Sequence, residues 1–168
     1  LGQLHKQISQ AEQRIQRLVK ITPEMQLLDF LPGIGPILAV AICFEIGDVE
    51  RFCDAAHLAS YAGAVPRVKS SGGKTYYGRT RPDVNHYLKW AFTEAANVIM
   101  LNKHKMAGRH VDRLYQKVCQ TKGHAKAIGD VRRHLAEAAF RVLKSQTPYH
   151  EPIPGKPIVS EGVCATLA

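Results

Sequence analysis

The chain has 168 residues, with 23 lysines and arginines against 14 acidic residues, a formal net charge of +9. This length is enough for one domain with a hydrophobic core, and the excess of positive charge indicates a polyanionic partner. The four cysteines are widely spaced and form no CxxC pair, which argues against a disulfide scaffold and against a structural zinc site. No apolar run reaches membrane-spanning length and no signal peptide is present, so we expect a cytoplasmic protein.

Residues 1–22 are expected to form one helix with an apolar seam. Its apolar residues recur at alternating spacings of three and four: Leu1, Leu4, Ile8, Ala11, Ile15 and Leu18, followed by Thr22. Such a/d spacing is typical of a coiled coil, and an amphipathic helix packed on its own domain would show the same pattern. We expect self-association into a dimer or higher oligomer. Because the chain starts at Leu1 inside a predicted helix, we also expect it to be a piece of a longer protein.

Two helices with a tight turn between them are predicted next. Thr22-Pro23-Glu24 is a helix start, with Thr22 as N-cap and proline in the first turn, and this helix should run to about Phe30. Residues 37–46 are apolar on nearly every side, so they should form a buried helix that Gly47 ends.

The turn between these helices, Leu31-Pro32-Gly33-Ile34-Gly35, is typical of a helix-hairpin-helix. Glycines permit the tight turn, and backbone N–H groups next to a helix N-terminus bind phosphates without reading sequence. Ile34 is small enough to lie between the two helices. Gly33, Ile34 and Gly35 are therefore candidate DNA-binding residues, and a plain Pro-Gly turn between helices is the simpler alternative.

The segment from Gly63 to Arg81 is strongly basic and contains no acid. Its five cations are candidate DNA contacts: Arg67, Lys69, Lys74, Arg79 and Arg81. Residues 65–69 and 74–77 should pair as a hairpin around Ser70-Ser71-Gly72-Gly73. A hydroxyl on a turn surrounded by cations suits an attack on a phosphodiester, because the cations offset the charge of the transition state. A basic hairpin that touches DNA without reacting has the same composition.

The remaining residues should form further helices. Asp54 can cap a short helix that runs through Ala62, and Asp83 can cap the next. Two basic amphipathic helices are predicted over 109–121 and 124–145. One face of the last helix should be lined by Ile128, Val131, Leu135, Ala138 and Val142, with Arg132, Arg133, Arg141 and Lys144 outside that stripe.

Charge is unevenly distributed along the chain. Residues 36–62 hold four acids and one cation, whereas residues 101–145 hold eleven cations and three acids, a net +8. The tail from Gln146 should be irregular. The expected organisation is a coiled-coil helix (1–22), a helix-hairpin-helix domain (23–145) and an irregular tail (146–168). The fold class is mainly α, with a small β-hairpin.

Over roughly residues 25–145 the chain resembles the carboxy-terminal transposase domain of DEDD-type, serine-using insertion-sequence transposases, the RNA-guided bridge recombinases. The resemblance rests on LPGIGPILAVAI, EIGDVERFCDAAHLASYAGAVPR, SGGK, GRT, Asn85 and EAA, in this order and spacing. The family's Gly-x-x-Pro-Arg and Ser-Gly motifs correspond to Gly63, Pro66, Arg67, Ser71 and Gly72. Where the family usually has Lys-Arg-Gly, this chain has Pro82, Asp83 and Val84, although Asn85 and Leu88 fit the pattern.

The resemblance implies an activity and partners. Ser71 would be the nucleophile, with Ser70 as the neighbouring candidate, and it would form a phosphoserine bond to DNA during strand cleavage and exchange. The family's magnesium ions belong to an acidic RNase H-like domain. No such domain is present here, so we expect no cofactor in this chain and low activity without that domain. The implied partners are DNA, a guide RNA and further copies of the chain, in the cytoplasm of a bacterium or archaeon and close to its nucleoid.

Two other functions fit parts of the sequence. A non-catalytic helix-hairpin-helix module would bind DNA through Gly33 and Gly35 and would not need Ser71. A DNA glycosylase fragment would use the same hairpin with a catalytic aspartate soon after it, and Asp48 and Asp54 are the available residues.

Overall fold

The computed structural model describes residues 2–152, apart from the side chains of Gln16, Tyr77 and Arg79, and this part of the chain is mainly helical. Its α-helices are α1 (Gly2–Leu18), α2 (Pro23–Asp29), α3 (Pro36–Ile46), α4 (Ala55–Tyr61), α5 (His86–Leu101), α6 (Lys103–Met106), α7 (His110–Lys122) and α8 (His124–Ser145). Strands β1 (Pro66–Ser71) and β2 (Lys74–Thr80) pair as an antiparallel hairpin. The predicted mainly α fold with a small β-hairpin is confirmed. Within residues 2–152, no helix is long and apolar enough to cross a membrane.

Helix α1 ends earlier than the sequence pattern predicted, at Leu18. Thr22 is extended and is the N-cap of α2, where its side chain accepts a hydrogen bond from the Met25 N–H at 3.4 Å. A residue with extended backbone cannot belong to the preceding helix, so the heptad pattern in the sequence continues beyond the end of α1. Leu4 and Ile8 are 57% and 49% exposed. The first half of the seam therefore faces solvent.

Helix α3 begins at Pro36, one residue before the predicted start, and Gly47 ends it with a positive φ of 60°. The sequence predicts a buried helix, but only one face of it is fully buried. Ala39, Ile42 and Ile46 are buried, whereas Phe44 is 67% exposed. The physical reason is that α3 packs on α2 and α5, which cover only part of its surface. An all-apolar sequence carries no periodicity that could identify the covered face.

The core forms where α8 packs against α4, α5 and α7. The stripe predicted for α8 is confirmed, since all five members are buried: Ile128, Val131, Leu135, Ala138 and Val142. From α5, Leu88, Phe92 and Ile99 are completely buried. Burying a side chain of this size stabilises the fold by about 1.5–3 kcal/mol. Helices α5 and α8 are therefore the scaffold on which the other elements are placed.

Asn85, not Asp83, caps α5. The Asn85 Oδ1 accepts a hydrogen bond from the Leu88 N–H at 2.9 Å, and its Nδ2 donates to the Glu45 carboxylate at 2.7 Å and to the Tyr61 hydroxyl at 3.3 Å. Asp83 lies two residues before this cap position, and its carboxylate accepts hydrogen bonds from Arg81 instead. Asn85 thereby joins α3, α4 and α5 beside the root of the hairpin.

Candidate nucleic-acid interface

The hairpin has a two-residue turn that the sequence makes possible. Gly72 and Gly73 have φ values of +56° and +74°. A two-residue turn with positive φ at both positions is the type I′ turn, which matches the twist of the flanking strands and strongly favours glycine. Ser71 is therefore the last residue of β1, and its Cα partner across the hairpin is Lys74. Ser71 thus lies at the end of a strand, one residue before the turn in which the sequence pattern places it.

The register separates the two serines. Lys69 pairs with Tyr76, Ser70 with Thr75 and Ser71 with Lys74. Side chains alternate along a strand, and directly paired residues share a face. Ser71 therefore shares its face of the hairpin with Lys69 and Lys74, while Ser70 lies on the opposite face with Thr75.

The hairpin stands away from the core. Every residue of β1 is exposed, including Arg67, Lys69 and Ser71, and Lys74 at the start of β2 is exposed as well. A two-stranded hairpin is marginally stable alone, so its geometry depends on its root. The exposed strand also leaves the serine hydroxyl and three cations accessible to a large ligand such as DNA.

The other two predicted DNA contacts, Arg79 and Arg81, are not shown to be free cations on the exposed part of the hairpin. Arg81 donates two hydrogen bonds to the carboxylate of Asp83, at 3.0 and 2.6 Å. The bonds from Arg81 lower the pKa of Asp83, and the charge of Arg67 lowers it further. Arg81 therefore carries its own counter-ion. Arg79 belongs to β2, and its side chain lies outside the described residues.

The root of the hairpin contains a residue that the sequence analysis placed only outside the core stripe of α8. Arg132 donates hydrogen bonds to the Gly63 carbonyl at 3.0 Å and to the Thr93 hydroxyl at 3.3 Å. Burial lowers the pKa of this guanidinium, and its Nε is buried with no hydrogen-bond partner. A basic residue on a basic helix gives no sequence signal for this role, because the contact joins residues 69 positions apart.

Gly63 itself is confined at this root. It has a φ of +63°, and a Cβ there would lie 3.0 Å from a methyl carbon of Val84 and 3.3 Å from atoms of Lys89 and Thr80. The backbone leaves α4 through this position and enters β1 three residues later. The Gly-x-x-Pro-Arg segment thus connects the helical core to the hairpin, and its glycine is closely surrounded by other side chains.

The predicted helix-hairpin-helix turn does connect α2 to α3. Leu31, Pro32 and Ile34 are buried, and the Ile34 N–H donates to the Leu31 carbonyl at 3.2 Å. Gly33 has a φ of +78°, and a Cβ there would lie 2.3 Å from the carbonyl oxygen of Ala95 in α5. Gly33 is therefore needed for packing, whether or not it also contacts DNA.

Gly35 is the N-cap of α3 and provides no side-chain hydrogen bond. The N–H groups of the first helical turn have no partner within a helix, and Pro36 has no N–H, so Ile37 and Leu38 supply the free donors. A Cβ on Gly35 would meet nothing within 4 Å.

The turn and the hairpin root contact α5 at different points. Gly33 packs near Ala95, whereas Gly63 packs near Lys89. Six helical residues correspond to about 9 Å along the axis. The structure therefore does not gather all the predicted DNA-binding residues into one cluster.

The residues considered for metal and glycosylase chemistry have other partners. Within residues 2–152, no group of three or more histidine, cysteine, aspartate or glutamate side chains is placed to hold a metal ion. Asp48 accepts a hydrogen bond from the Glu50 N–H, and Asp54 accepts one from the His57 N–H and a second from its ring. The hydrogen bonds from His57 lower the pKa of Asp54.

The family model for the IS116/IS110/IS902 transposases matches residues 25–111. The chain belongs to this family. It is 30% identical to an uncharacterized 43.6 kDa protein of insertion element IS110 from Streptomyces coelicolor, over 92% of the chain and 37% of that protein. It is 28% identical to the pilin gene-inverting protein of Moraxella bovis, over 87% of the chain and 46% of that protein. It is 30% identical to a probable family 20 transposase of Pseudomonas aeruginosa, over 70% of the chain and 36% of that protein.

The matched region contains both candidate elements, the α2–α3 turn and the β1–β2 hairpin. The chain spans less than half the length of these three relatives.

Proposed function

We propose that this chain binds DNA and supplies the serine nucleophile of a transposase, with Ser71 as that residue. The observation that supports this most directly is the position of Ser71. It ends β1 beside a Gly-Gly turn, is exposed, and shares a face with Lys69 and Lys74. Two ammonium groups on that face would hold a phosphodiester against the hydroxyl and offset the charge that builds up on its oxygens.

The proposed step conserves atoms and electrons. The Ser71 hydroxyl loses its proton, and its Oγ attacks a DNA phosphorus. The bond from phosphorus to the leaving sugar oxygen breaks, and that oxygen takes up a proton. The product is a phosphoserine ester that keeps the energy of the broken bond, so a hydroxyl on another strand can attack it and release the serine without a nucleotide cofactor.

The base for this step lies outside the hairpin. Residues 63–82 contain no acid and no histidine, and a serine is a weak nucleophile unless a base or a metal activates it. We propose that the activating group, with its Mg²⁺, belongs to the acidic RNase H-like domain that the resemblance implies. The 168-residue chain alone should then bind DNA and cleave it poorly. A guide RNA is part of the same proposal.

DNA binding is proposed to be mainly electrostatic. Arg67, Lys69 and Lys74 are exposed on the hairpin, and the free N–H groups at the start of α3 offer a second contact with phosphates. If a handful of phosphates are neutralised, a fourfold rise in salt should weaken binding by roughly tenfold or more. Fluorescence anisotropy with a labelled duplex measures this directly. A flat salt profile would contradict it.

Self-association through α1 is proposed because Leu4 and Ile8 remain exposed. Ile15 and Val19, by contrast, line an apolar cavity of about 150 Å³ together with Met25 and other residues of α2 and α3. Of the apolar seam residues that the structure describes, Ile15 is half-buried, whereas Leu4, Ile8, Ala11 and Leu18 are exposed and free to contact a second copy. Strand exchange between two duplexes requires more than one active serine, which an oligomer supplies.

The catalytic assignment is tested in the full-length protein with matched variants. Ser71→Ala should abolish the covalent protein–DNA adduct, while Ser70→Ala should leave it detectable, because Ser70 lies on the other face. Both serines are exposed, so each variant should stay within about 0.5 kcal/mol of the parent in stability. Adduct in the Ser71 variant would refute the assignment.

A non-catalytic DNA-binding module is the second candidate function. It is favoured by the lack of any acid or histidine in the hairpin. The adduct assay described above also distinguishes these two functions. If no adduct forms with either serine in place while DNA still binds with steep salt dependence, the chain is a binding module.

A further inference from the structure

A cleft of about 300 Å³ lies at the root of the hairpin and shares only Arg81, Asp83 and their neighbours with the interface described above. We call it the Arg51 cleft; its walls include Arg51, Phe52, Cys53, His57, Tyr61 and Arg81. Its residues come from the 3₁₀ turn Val49–Arg51, from α4 and from the segment that follows β2. Its volume is at the lower end for small-molecule pockets, which suits one nucleotide-sized group.

The guanidinium of Arg51 is held in place by two aromatic rings. Its Cζ lies 4.6 Å from the ring centroid of Phe52 and 4.9 Å from that of Tyr61. Its Nη2 also donates to the Glu45 carbonyl at 3.3 Å. Among the described residues, no carboxylate forms a salt bridge with Arg51. The cleft thus has a fixed, flat, unpaired cation in its wall.

The other charged side chains at the cleft have partners of their own. Arg81 is neutralised by Asp83, which also lines the cleft, and the His57 Nδ1 lies 2.9 Å from the Asp54 carboxylate. Arg51 is therefore the arginine of the cleft that has no carboxylate partner among the described residues. A ligand with one negative charge and a flat, polarisable group would match this arrangement better than a multiply charged anion would.

We infer that the Arg51 cleft binds one unpaired nucleotide of a nucleic-acid strand. An arginine plane backed by aromatic rings is a surface on which an unstacked base can lie, and its positive charge attracts the adjoining phosphate. A base paired within a duplex could not enter a cavity of this size. Arg81 directly follows β2, so the bound nucleotide would be held next to the strand that pairs with the Ser71 strand. This inference rests on the proposed function, that the chain handles nucleic acid.

Cys53 makes the cleft testable without a new probe. It is exposed and lines the cleft, whereas Cys119 lies on α7 and is only partly exposed. The rate at which iodoacetamide modifies each cysteine can be followed by peptide mass spectrometry on the whole chain. The ligands are an oligothymidylate and an oligouridylate of about ten nucleotides, within the span that single-strand sites cover, and a DNA duplex of the same length.

Single strands should protect Cys53 and leave Cys119 unchanged. With the oligonucleotide at about ten times its dissociation constant, roughly 90% of the chain is occupied and the modification of Cys53 should slow about tenfold. Arg51→Ala should weaken single-strand binding at least about fivefold and remove the protection. Arg51→Lys should restore it only in part, because lysine keeps the charge without the flat group. Arg14→Ala, which removes an exposed arginine on α1, is the matched control and should change neither.

The DNA and RNA arms identify the source of the nucleotide, and either one protecting Cys53 supports the inference. Equal protection by the duplex would overturn it, because the cleft would then contact phosphates of paired DNA. Single-strand binding, seen by anisotropy, with no protection of Cys53 would also overturn it while leaving the proposed function intact. Absence of binding to any of the three ligands would refute the proposed function as well.

Discussion

Replacing Gly33 with alanine tests how the turn between α2 and α3 is packed. The new Cβ would lie 2.3 Å from the Ala95 carbonyl oxygen, 3.1 Å from its carbonyl carbon and 2.9 Å from the Ile99 Cγ1. The first two atoms belong to the backbone of α5, which cannot rotate away as a side chain would. The turn must therefore separate from α5 or the backbone of Gly33 must change its conformation.

The magnitude follows from two effects. Holding an L-residue at a φ of +78° costs roughly 1–2 kcal/mol. Forcing an extra carbon into a packed site typically costs about 1–3 kcal/mol. Gly33→Ala should therefore lower the free energy of unfolding by about 2–5 kcal/mol, a large part of the roughly 5–15 kcal/mol that stabilises a domain. At about 2–4 °C per kcal/mol, the melting temperature should fall by about 4–20 °C.

Gly35→Ala is the matched control, because its Cβ would meet nothing within 4 Å and its φ of −110° suits any residue. It should cost about 1 kcal/mol or less, as expected for alanine at an N-cap. Urea denaturation followed by circular dichroism measures both. If the free energies of unfolding of Gly33→Ala and Gly35→Ala agree within about 0.5 kcal/mol, the turn does not pack on α5 as described.

Three further predictions concern other parts of the chain. Arg132→Met should lower the free energy of unfolding by about 1–3 kcal/mol, because the Gly63 carbonyl loses its hydrogen-bond donor. Amide hydrogen exchange at the hairpin root should become faster. An unchanged exchange rate would contradict the role of Arg132. Burial lowers the pKa of His134 from its ordinary 6.5 to about 4. Because the unfolded chain binds a proton at this histidine more readily than the folded chain does, the free energy of unfolding falls as the pH drops from about 6.5 to about 4. Between pH 7 and pH 5 the loss should be about 2 kcal/mol by urea denaturation, and His134→Gln should remove most of it; an equal loss in the variant would refute the assignment. Leu4→Asp combined with Ile8→Asp should convert oligomers to monomers in light scattering without unfolding the domain, and a monomeric parent chain would contradict self-association through α1.

Local signals predicted most of the fold. Thr22-Pro23 and Asp54 begin helices where expected, because a capping side chain acts on N–H groups two or three residues away and needs no distant partner. Gly47 ends α3 for a similar local reason. The core stripe of α8 was also readable, since its periodicity and its burial have the same cause.

What the sequence could not predict depends on distant contacts. Asn85, not Asp83, is the cap of α5, and its amide also donates a hydrogen bond to Glu45, forty residues earlier. Phe44 is exposed because no element within residues 2–152 covers that face of α3. For the candidate site, the sequence identified the serines and the cations, but only the strand register places Ser70 and Ser71 on opposite faces. The role of Arg132 at the hairpin root could not be predicted either, because it depends on a contact with Gly63, 69 residues earlier.

The most direct test of the proposed chemistry is to locate the DNA–protein bond. The full-length protein is trapped on a nicked DNA substrate, digested with nuclease and trypsin, and analysed by fragmentation mass spectrometry. Cleavage after Lys69 and Lys74 releases the short peptide Ser70-Ser71-Gly72-Gly73-Lys74, whose fragment ions separate the two serines. The account predicts a phosphodiester remnant on Ser71. A remnant on Ser70, on a residue outside this peptide, or on none would contradict it.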